Sequence, residues 1–203
     1  MGNFAKFCGL RNLVYICIRK QGEMDSEMVK FNNEFVEAER YKEFETSKYP
    51  AKKTAIVTCM DTRLVGLLPA ALGIKNGDVK MIKNAGGSVI EPFGETMRSL
   101  IVAIYELGVD KIMIIGHTDC GVEGMNSEEI MNIMRERGIS KETFDMIRHC
   151  GIDIDKWLTG FCDTKKAVME SVALVRNHPL ILPEIEVEGF IIDTYTGKLQ
   201  PLS

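Results

Sequence analysis

Two short runs of the sequence contain side chains that together could hold a metal ion. Cys59, Asp61 and Arg63 occupy alternate positions in the first run, and His117 and Cys120 belong to the second. Alternate residues of an extended segment point the same way, so Cys59 and Asp61 could reach one ion while Arg63 reaches the carboxylate. Zinc suits a mixed sulfur and nitrogen ligand set, whereas magnesium and calcium require oxygen. The pattern predicts one zinc ion per chain.

The number of protein ligands decides what such a zinc site can do. Three protein ligands plus water make a catalytic site, and a fourth protein ligand closes it. Cys59, His117 and Cys120 are the three expected ligands, and Asp61 is the candidate for the fourth in a closed state only. A catalytic site is favoured over a structural one, because the chain has no Cys-x-x-Cys pair of the kind common in structural sites.

A third run, Asn84-Ala85-Gly86-Gly87, also follows a strand-like segment. Its two glycines allow a close approach of the backbone and a positive φ. We expect these four residues to form a wall of the substrate pocket. The alternative is an ordinary turn between a strand and a helix.

Short apolar segments alternate with amphipathic ones along most of the chain. This alternation predicts an α/β fold with a mostly parallel central β-sheet flanked by helices. Parallel sheets bind their ligands outside the carboxyl ends of the strands, where both metal runs fall. The predicted strands are 54–59, 78–83, 111–116 and 187–193, and the predicted helices are 64–72, 92–107, 127–137, 141–148 and 163–177.

The two ends of the chain differ in character. Residues 1–23 are basic and apolar and are expected to lie upstream of a natural start at Met24, with a membrane-surface helix or a targeting leader as alternatives. Residues 24–203 are expected to form a single domain. Its first segment, 26–44, has mostly helical spacing and is expected to pack on a partner subunit or on the domain body.

Composition limits the classes of partner. The chain has 203 residues, of which 45% are hydrophobic and 27% are charged, as in a globular domain. The formal net charge of −4 supplies no basic field for a nucleic acid. No window approaches the roughly 20 apolar residues of a membrane span. We expect a cytoplasmic protein with no nucleic-acid or membrane partner.

Several segments between residues 26 and 199 closely resemble the β-class carbonic anhydrases, in the compact form of the small prokaryotic branch. The combination of Cys-x-Asp-x-Arg with His-x-x-Cys at this separation is highly specific for that family. The segments that carry the resemblance are CMDTRL (59–64), KNAGG (83–87), RSL (98–100), LGVDKIMIIGHTDCG (107–121), RNHPL (176–180) and GFIIDTYTGKL (189–199).

The resemblance implies zinc held by Cys59, His117 and Cys120, with Asp61 and Arg63 as the catalytic dyad of the family. It implies zinc-dependent, reversible hydration of carbon dioxide to bicarbonate and a proton, by attack of a zinc-bound hydroxide. It also implies a homodimer or homotetramer with partner residues near the active site. The candidates for those residues on the N-terminal helix are Phe31, Phe35 and Tyr41.

The sequence departs from the plant branch of the family in one respect. That branch has a substrate-binding glutamine shortly before the first cysteine, whereas residues 49–54 contain none. Backbone donors or another group must therefore orient the substrate. Asp119 is a candidate proton relay, with a turn-forming or solvated role as the alternative.

Three other functions stay open at this level. The same zinc site could hydrolyse carbon disulfide or carbonyl sulfide, because access to the pocket rather than the ligands selects among linear substrates. The chain could also be a non-catalytic zinc-binding homologue. A thiol-redox role for Cys59 and Cys120 is less favoured.

Overall fold

The computed structural model describes residues 24–202, so the predicted leader at 1–23 lies outside the described residues. Among the described residues, those up to Thr46 belong to one compact unit and those from Ser47 onward belong to a second. The described part of the first unit contains helix α1 (Met24–Glu37) and the 3-10 helix Arg40–Phe44.

The predicted helix over 26–44 is interrupted, because Glu39 adopts a left-handed conformation with φ of 53°. Beyond this bend, the Arg40 guanidinium lies over the rings of Phe31 and Phe35, at 5.0 and 5.1 Å from their centroids. The ring of Phe44 also lies near that of Phe35, with 6.0 Å between centroids. Cation–π and aromatic contacts therefore favour a bend over a continuous helix.

The second unit contains a five-stranded sheet in the order β2-β1-β3-β4-β5. Its first four strands are parallel, and β5 pairs with β4 in the antiparallel sense. The predicted mostly parallel α/β fold is confirmed. The strands are β1 (Thr54–Cys59), β2 (Val79–Asn84), β3 (Lys111–His117), β4 (Glu186–Ile192) and β5 (Leu199–Leu202).

Helices connect these strands, close to the predicted positions. The predicted helix over 92–107 is shorter, since Gly94 is its N-terminal cap. One short helix, α6, was not predicted; the Asp153 side chain caps it by accepting from the Lys156 N–H at 3.0 Å. The helices are α2 (Leu64–Ala71), α3 (Glu95–Tyr105), α4 (Ser127–Glu136), α5 (Lys141–His149), α6 (Ile154–Leu158) and α7 (Thr164–Arg176).

Strand β1 is an interior strand of the sheet, and all six of its residues are buried. Ala55 and Val57 belong to one hydrophobic cluster, while Ile56 belongs to another that includes Cys59. A strand with both faces covered requires apolar side chains throughout, which explains the continuous run of the sequence. No helix within residues 24–202 has the length and hydrophobicity that a membrane crossing requires.

The close contact between Gly87 and the backbone of β1 can be tested by comparison with Gly73, a glycine with a similar backbone conformation. Gly87 has φ of 64°, and a Cβ atom there would lie 2.5 Å from the Cys59 amide nitrogen. Gly73 has φ of 61°, with no atom within 4 Å of its Cβ position. We expect Gly73→Ala to lower the free energy of unfolding by about 1–2 kcal/mol through the left-handed conformation alone.

Gly87→Ala should lose about 1–3 kcal/mol more, because the added methyl group must displace the β1 backbone. Urea unfolding of both variants at matched zinc content measures the difference. Equal losses in the two variants would contradict a close contact at Gly87.

Candidate metal centre

The paired strands β1 and β3 bring the two metal runs to one edge of the sheet. Cys59 is the last residue of β1 and His117 is the last residue of β3, which is its parallel neighbour. The loop after β3 returns Cys120 to the same place. The ligand atoms of these three buried residues all lie within 4.8 Å of one another.

The His117 ring is oriented so that it can bind a metal through Nε2. It is fully buried, and its Nδ1 donates to the Thr118 carbonyl oxygen at 2.9 Å. This bond places the proton on Nδ1 and leaves a lone pair on Nε2. Nε2 is buried and has no hydrogen-bond partner within residues 24–202. A buried polar atom without a partner destabilises a fold by about 1–3 kcal/mol, and a metal ion would satisfy it.

The two cysteines complete a donor set that fits zinc. Burial raises the pKa of the Cys120 thiol, and the neighbouring Cys59 raises it further. The protein alone therefore stabilises the Cys120 thiolate poorly, and a divalent cation would supply the missing positive charge. Two sulfur atoms and one imidazole nitrogen suit zinc in particular.

Asp61 lies beside this cluster, paired with Arg63. Its Oδ1 accepts from Arg63 Nε at 3.0 Å and its Oδ2 accepts from Arg63 Nη2 at 2.8 Å. Oδ2 is also 4.0 Å from His117 Nε2. The hydrogen bond from Arg63 is the main cause that lowers the pKa of Asp61 to about 2. The structure therefore holds an ionised Asp61 next to the three-residue cluster and outside it.

Arg63 has a second acidic partner, which the sequence alone did not indicate. Its Nη1 donates to Asp119 Oδ2 and its Nη2 donates to the Asp119 carbonyl oxygen, each at 2.7 Å. Asp119 lies between the two ligands of the second run and adopts φ of 56°. The available signal was its residue type, since aspartate tolerates the left-handed conformation better than most residues do.

The run Asn84–Gly87 lies against the cluster from the side of β2. Gly87 packs on the Cys59 amide, and residues Ala85–Gly87 form a tight turn in which Gly86 has φ of 83°. The Asn84 side chain closes this turn, since its amide nitrogen donates to the Ser88 carbonyl oxygen at 2.7 Å and its amide oxygen accepts from the Ser88 N–H at 3.1 Å.

Asn84 and Ala85 line a cleft of about 960 Å³, together with Val122 and Phe161. Gly86 and Gly87 are buried. The role of residues 84–87 as a wall of the substrate pocket therefore stays a prediction. The Asn84 side chain stabilises the turn that these residues form.

Comparison with known proteins gives four similarities. The sequence model of the carbonic anhydrase family matches residues 54–199. A Bacillus subtilis protein named "Putative carbonic anhydrase YvdA" is 44% identical over 174 residues, which cover 86% of this chain and 88% of that protein. The crystal structure of β-carbonic anhydrase isoform I from Trichomonas vaginalis superposes with a TM-score of 0.79 at 34% identity, covering 89% of this chain and 97% of that one.

A carbon disulfide hydrolase from Acidithiobacillus thiooxidans is also similar, with 29% identity over 155 residues, covering 72% of this chain and 75% of that protein.

The two buried histidines allow the metal assignment to be tested. His117 and His178 both have a buried Nε2 without a partner among the described residues, but only His117 belongs to the cysteine cluster. We expect His117→Ala to lose stoichiometric zinc after dialysis, because two thiolates hold the ion weakly. His178→Ala should keep about one zinc per chain. Elemental analysis measures the zinc content, and circular dichroism verifies the fold. Zinc retained by His117→Ala would contradict the assignment.

Proposed function

This chain belongs to the β-class carbonic anhydrase family, and we propose that it hydrates carbon dioxide reversibly to bicarbonate and a proton with one zinc ion per chain. One observation carries the proposal. Cys59, His117 and Cys120 form a compact set of three ligands, while Arg63 holds Asp61 outside that set. Three protein ligands leave one position of a tetrahedral zinc ion open to water, as catalysis requires.

Each of the three ligands would bind the metal through a defined atom. Cys59 and Cys120 bind as thiolates, and His117 binds through Nε2 because its Nδ1 is committed to the Thr118 carbonyl oxygen. When bound, zinc supplies a water molecule acidic enough to lose a proton near neutral pH, which is the nucleophile that carbon dioxide hydration needs. The buried surroundings of all three ligands strengthen electrostatic interactions at the site.

Asp61 orients the nucleophile and Arg63 orients Asp61. The carboxylate is ionised, so it can only accept hydrogen bonds, and its Oδ2 lies at the edge of the ligand cluster. Arg63 occupies both oxygens through a two-point contact, which fixes the carboxylate plane. A lone pair that remains on Asp61 can accept a hydrogen bond from the nucleophile and align it toward the substrate carbon.

Hydrolysis of carbon disulfide or carbonyl sulfide is the second candidate function. The similarity to the Acidithiobacillus hydrolase favours it, and these substrates are linear triatomic molecules like carbon dioxide. The same ligand cluster could serve either reaction. Activity assays with each substrate, rather than the identity of the ligands, must therefore distinguish the two functions. A non-catalytic zinc-binding role is the third candidate.

We also propose that the protein acts as a homodimer or homotetramer in the cytoplasm. Helix α1 exposes Met28, Phe31 and Val36 by 71%, 59% and 51%, an apolar surface suited to a second copy of the chain. Phe31, Phe35 and Tyr41 are the proposed contributions of this segment to a neighbouring site. The four cysteines of the described part form no disulfide, as is usual in a reducing compartment.

The proposed dimer contact can be tested on α1. Replacing Phe31 and Val36 together by serine should raise the dimer dissociation constant by about tenfold or more, because two large apolar side chains no longer leave water on association. Sedimentation velocity over a concentration series measures the dissociation constant. Lys30→Ser on the same helix is the control. Unchanged association of the double variant would exclude α1 from the interface.

The proposed reaction can be tested by stopped-flow carbon dioxide hydration on zinc-quantified protein. Asp61→Asn should keep about one zinc per chain and lower kcat about 10- to 100-fold, because the side chain still accepts a hydrogen bond but loses its charge-assisted contact with Arg63. Asp155→Asn is the matched control, since Asp155 pairs with Arg148 on the surface formed by α5 and α6. Full activity of Asp61→Asn would remove the dyad from the mechanism.

The wild-type protein discriminates among the candidate functions. Zinc-dependent hydration supports the proposed reaction. Release of hydrogen sulfide from carbon disulfide, with no hydration of carbon dioxide, supports the second candidate. One zinc per chain with neither reaction supports the non-catalytic role.

A further inference from the structure

Arg63 binds two acidic residues, and the proposed function uses only one of them. We propose that Asp119 is a positioning residue, which holds the Arg63 guanidinium in place so that Asp61 stays paired with Arg63 and off the metal. The proposal rests on the proposed function in one respect, namely that Asp61 can otherwise become the fourth ligand of a zinc ion.

The hydrogen bonds of Arg63 show how the two acids share one guanidinium. Nε and Nη2 donate to the two carboxylate oxygens of Asp61, at 3.0 and 2.8 Å. Nη1 donates to the carboxylate of Asp119 and Nη2 also donates to the Asp119 carbonyl oxygen, each at 2.7 Å. The side facing Asp61 and the side facing Asp119 are therefore both filled, and the guanidinium plane is fixed from two directions.

This arrangement matters because Arg63 is otherwise poorly restrained. Its side chain is 36% exposed, and the residue is the N-terminal cap of α2, outside the regular helix. Ordering a long arginine side chain loses up to about 2 kcal/mol of rotamer entropy. Asp119 lies 56 residues away in the sequence and anchors Arg63 to the loop that carries Cys120. Asp61 thus meets a guanidinium that is already ordered.

The backbone of Asp119 is shaped for this contact. Its φ of 56° is left-handed, as at only two other non-glycine positions of the described chain. In this conformation the carbonyl oxygen and the carboxylate of one residue both reach the same guanidinium. Aspartate and asparagine adopt the conformation more readily than most residues do.

Asp119 acts through Arg63 rather than on the reacting atoms. Its side chain is 68% exposed, whereas that of Asp61 is 17% exposed. Its carboxylate does not belong to the ligand cluster. It is consequently a positioning residue and not a catalytic one.

Removing the Asp119 carboxylate should release Arg63 from one side. Asp61 would then spend more time on the zinc ion, and a site with four protein ligands releases its metal more slowly than an open one. Slower release distinguishes positioning from a structural role, because loss of a turn that merely supports Cys120 would make release faster.

Two substitutions separate the carboxylate from the backbone conformation. Asp119→Gly removes the side chain and accepts a positive φ, and Asp119→Asn keeps the shape and removes the charge. The rate of zinc release from the loaded, full-length protein to an excess of a chromogenic chelator is measured for each. We expect Asp119→Gly to slow release by about two- to fivefold, the range for a partly exposed ion pair, and Asp119→Asn to slow it less.

The same substitutions in an Asp61→Asn background test whether Asp61 carries the effect. There we expect no slowing, because the side chain that would occupy the fourth position has lost its charge. The control Asp155→Asn removes an arginine–aspartate pair elsewhere on the surface and should leave the release rate unchanged.

Three results would overturn the proposal: unchanged release in Asp119→Gly, faster release, or equal slowing in the Asp61→Asn background. These results are independent of turnover. A wild-type protein that binds zinc without hydrating carbon dioxide overturns the proposed reaction alone, and the release rates still decide the role of Asp119.

Discussion

The parallel pairing of β1 with β3 is the constraint on which the whole site depends. Thr58 is paired in register with Ile115, so the two strands run side by side to their carboxyl ends, at Cys59 and His117. The strands stay fixed because β1 is buried on both faces between two hydrophobic clusters. A shift of one residue in this pairing would displace the two ligands relative to each other by about 3.3 Å along the strands. The apolar core therefore sets the geometry of a polar site.

In the mechanism we propose, competition between Arg63 and the zinc ion decides where the Asp61 carboxylate binds. Because Arg63 lowers the pKa of Asp61 to about 2, the carboxylate is ionised across the physiological range. Its exchange between arginine and metal therefore requires no protonation of its own. What can change the balance is how firmly each cation is held, and Arg63 is held by both the carboxylate and the carbonyl oxygen of Asp119.

The sequence was sufficient to predict those features that depend on local periodicity and residue type. Alternation of apolar and amphipathic segments predicted the four parallel strands, and the residue types at the strand ends predicted a ligand set that the fold brings together. It missed β5 and α6, which are short and lack a strong periodicity of their own. It also missed the bend at Glu39, where ring contacts outweigh helix propensity.

The contact between Arg63 and Asp119 lay beyond the reach of the sequence for a different reason. It joins two loops whose separation is fixed only after β1 and β3 have paired, and no spacing rule relates residues so far apart. The role of the Asn84 amide is similar, since only the fold shows that it bonds to Ser88 within its own turn.

The distribution of the ligands along the chain has a consequence for biosynthesis. Cys59 and the pair His117 and Cys120 are separated by a helix, a second strand and a further helix, and all of these must pack before the three ligand atoms meet. A nascent chain that has emerged only through β2 can present just one of the three ligands. Metal acquisition must then follow sheet formation, and its binding energy adds to the stability of a fold that has already been selected. Zinc would in that case stabilise the native topology after it has formed and would not nucleate its folding.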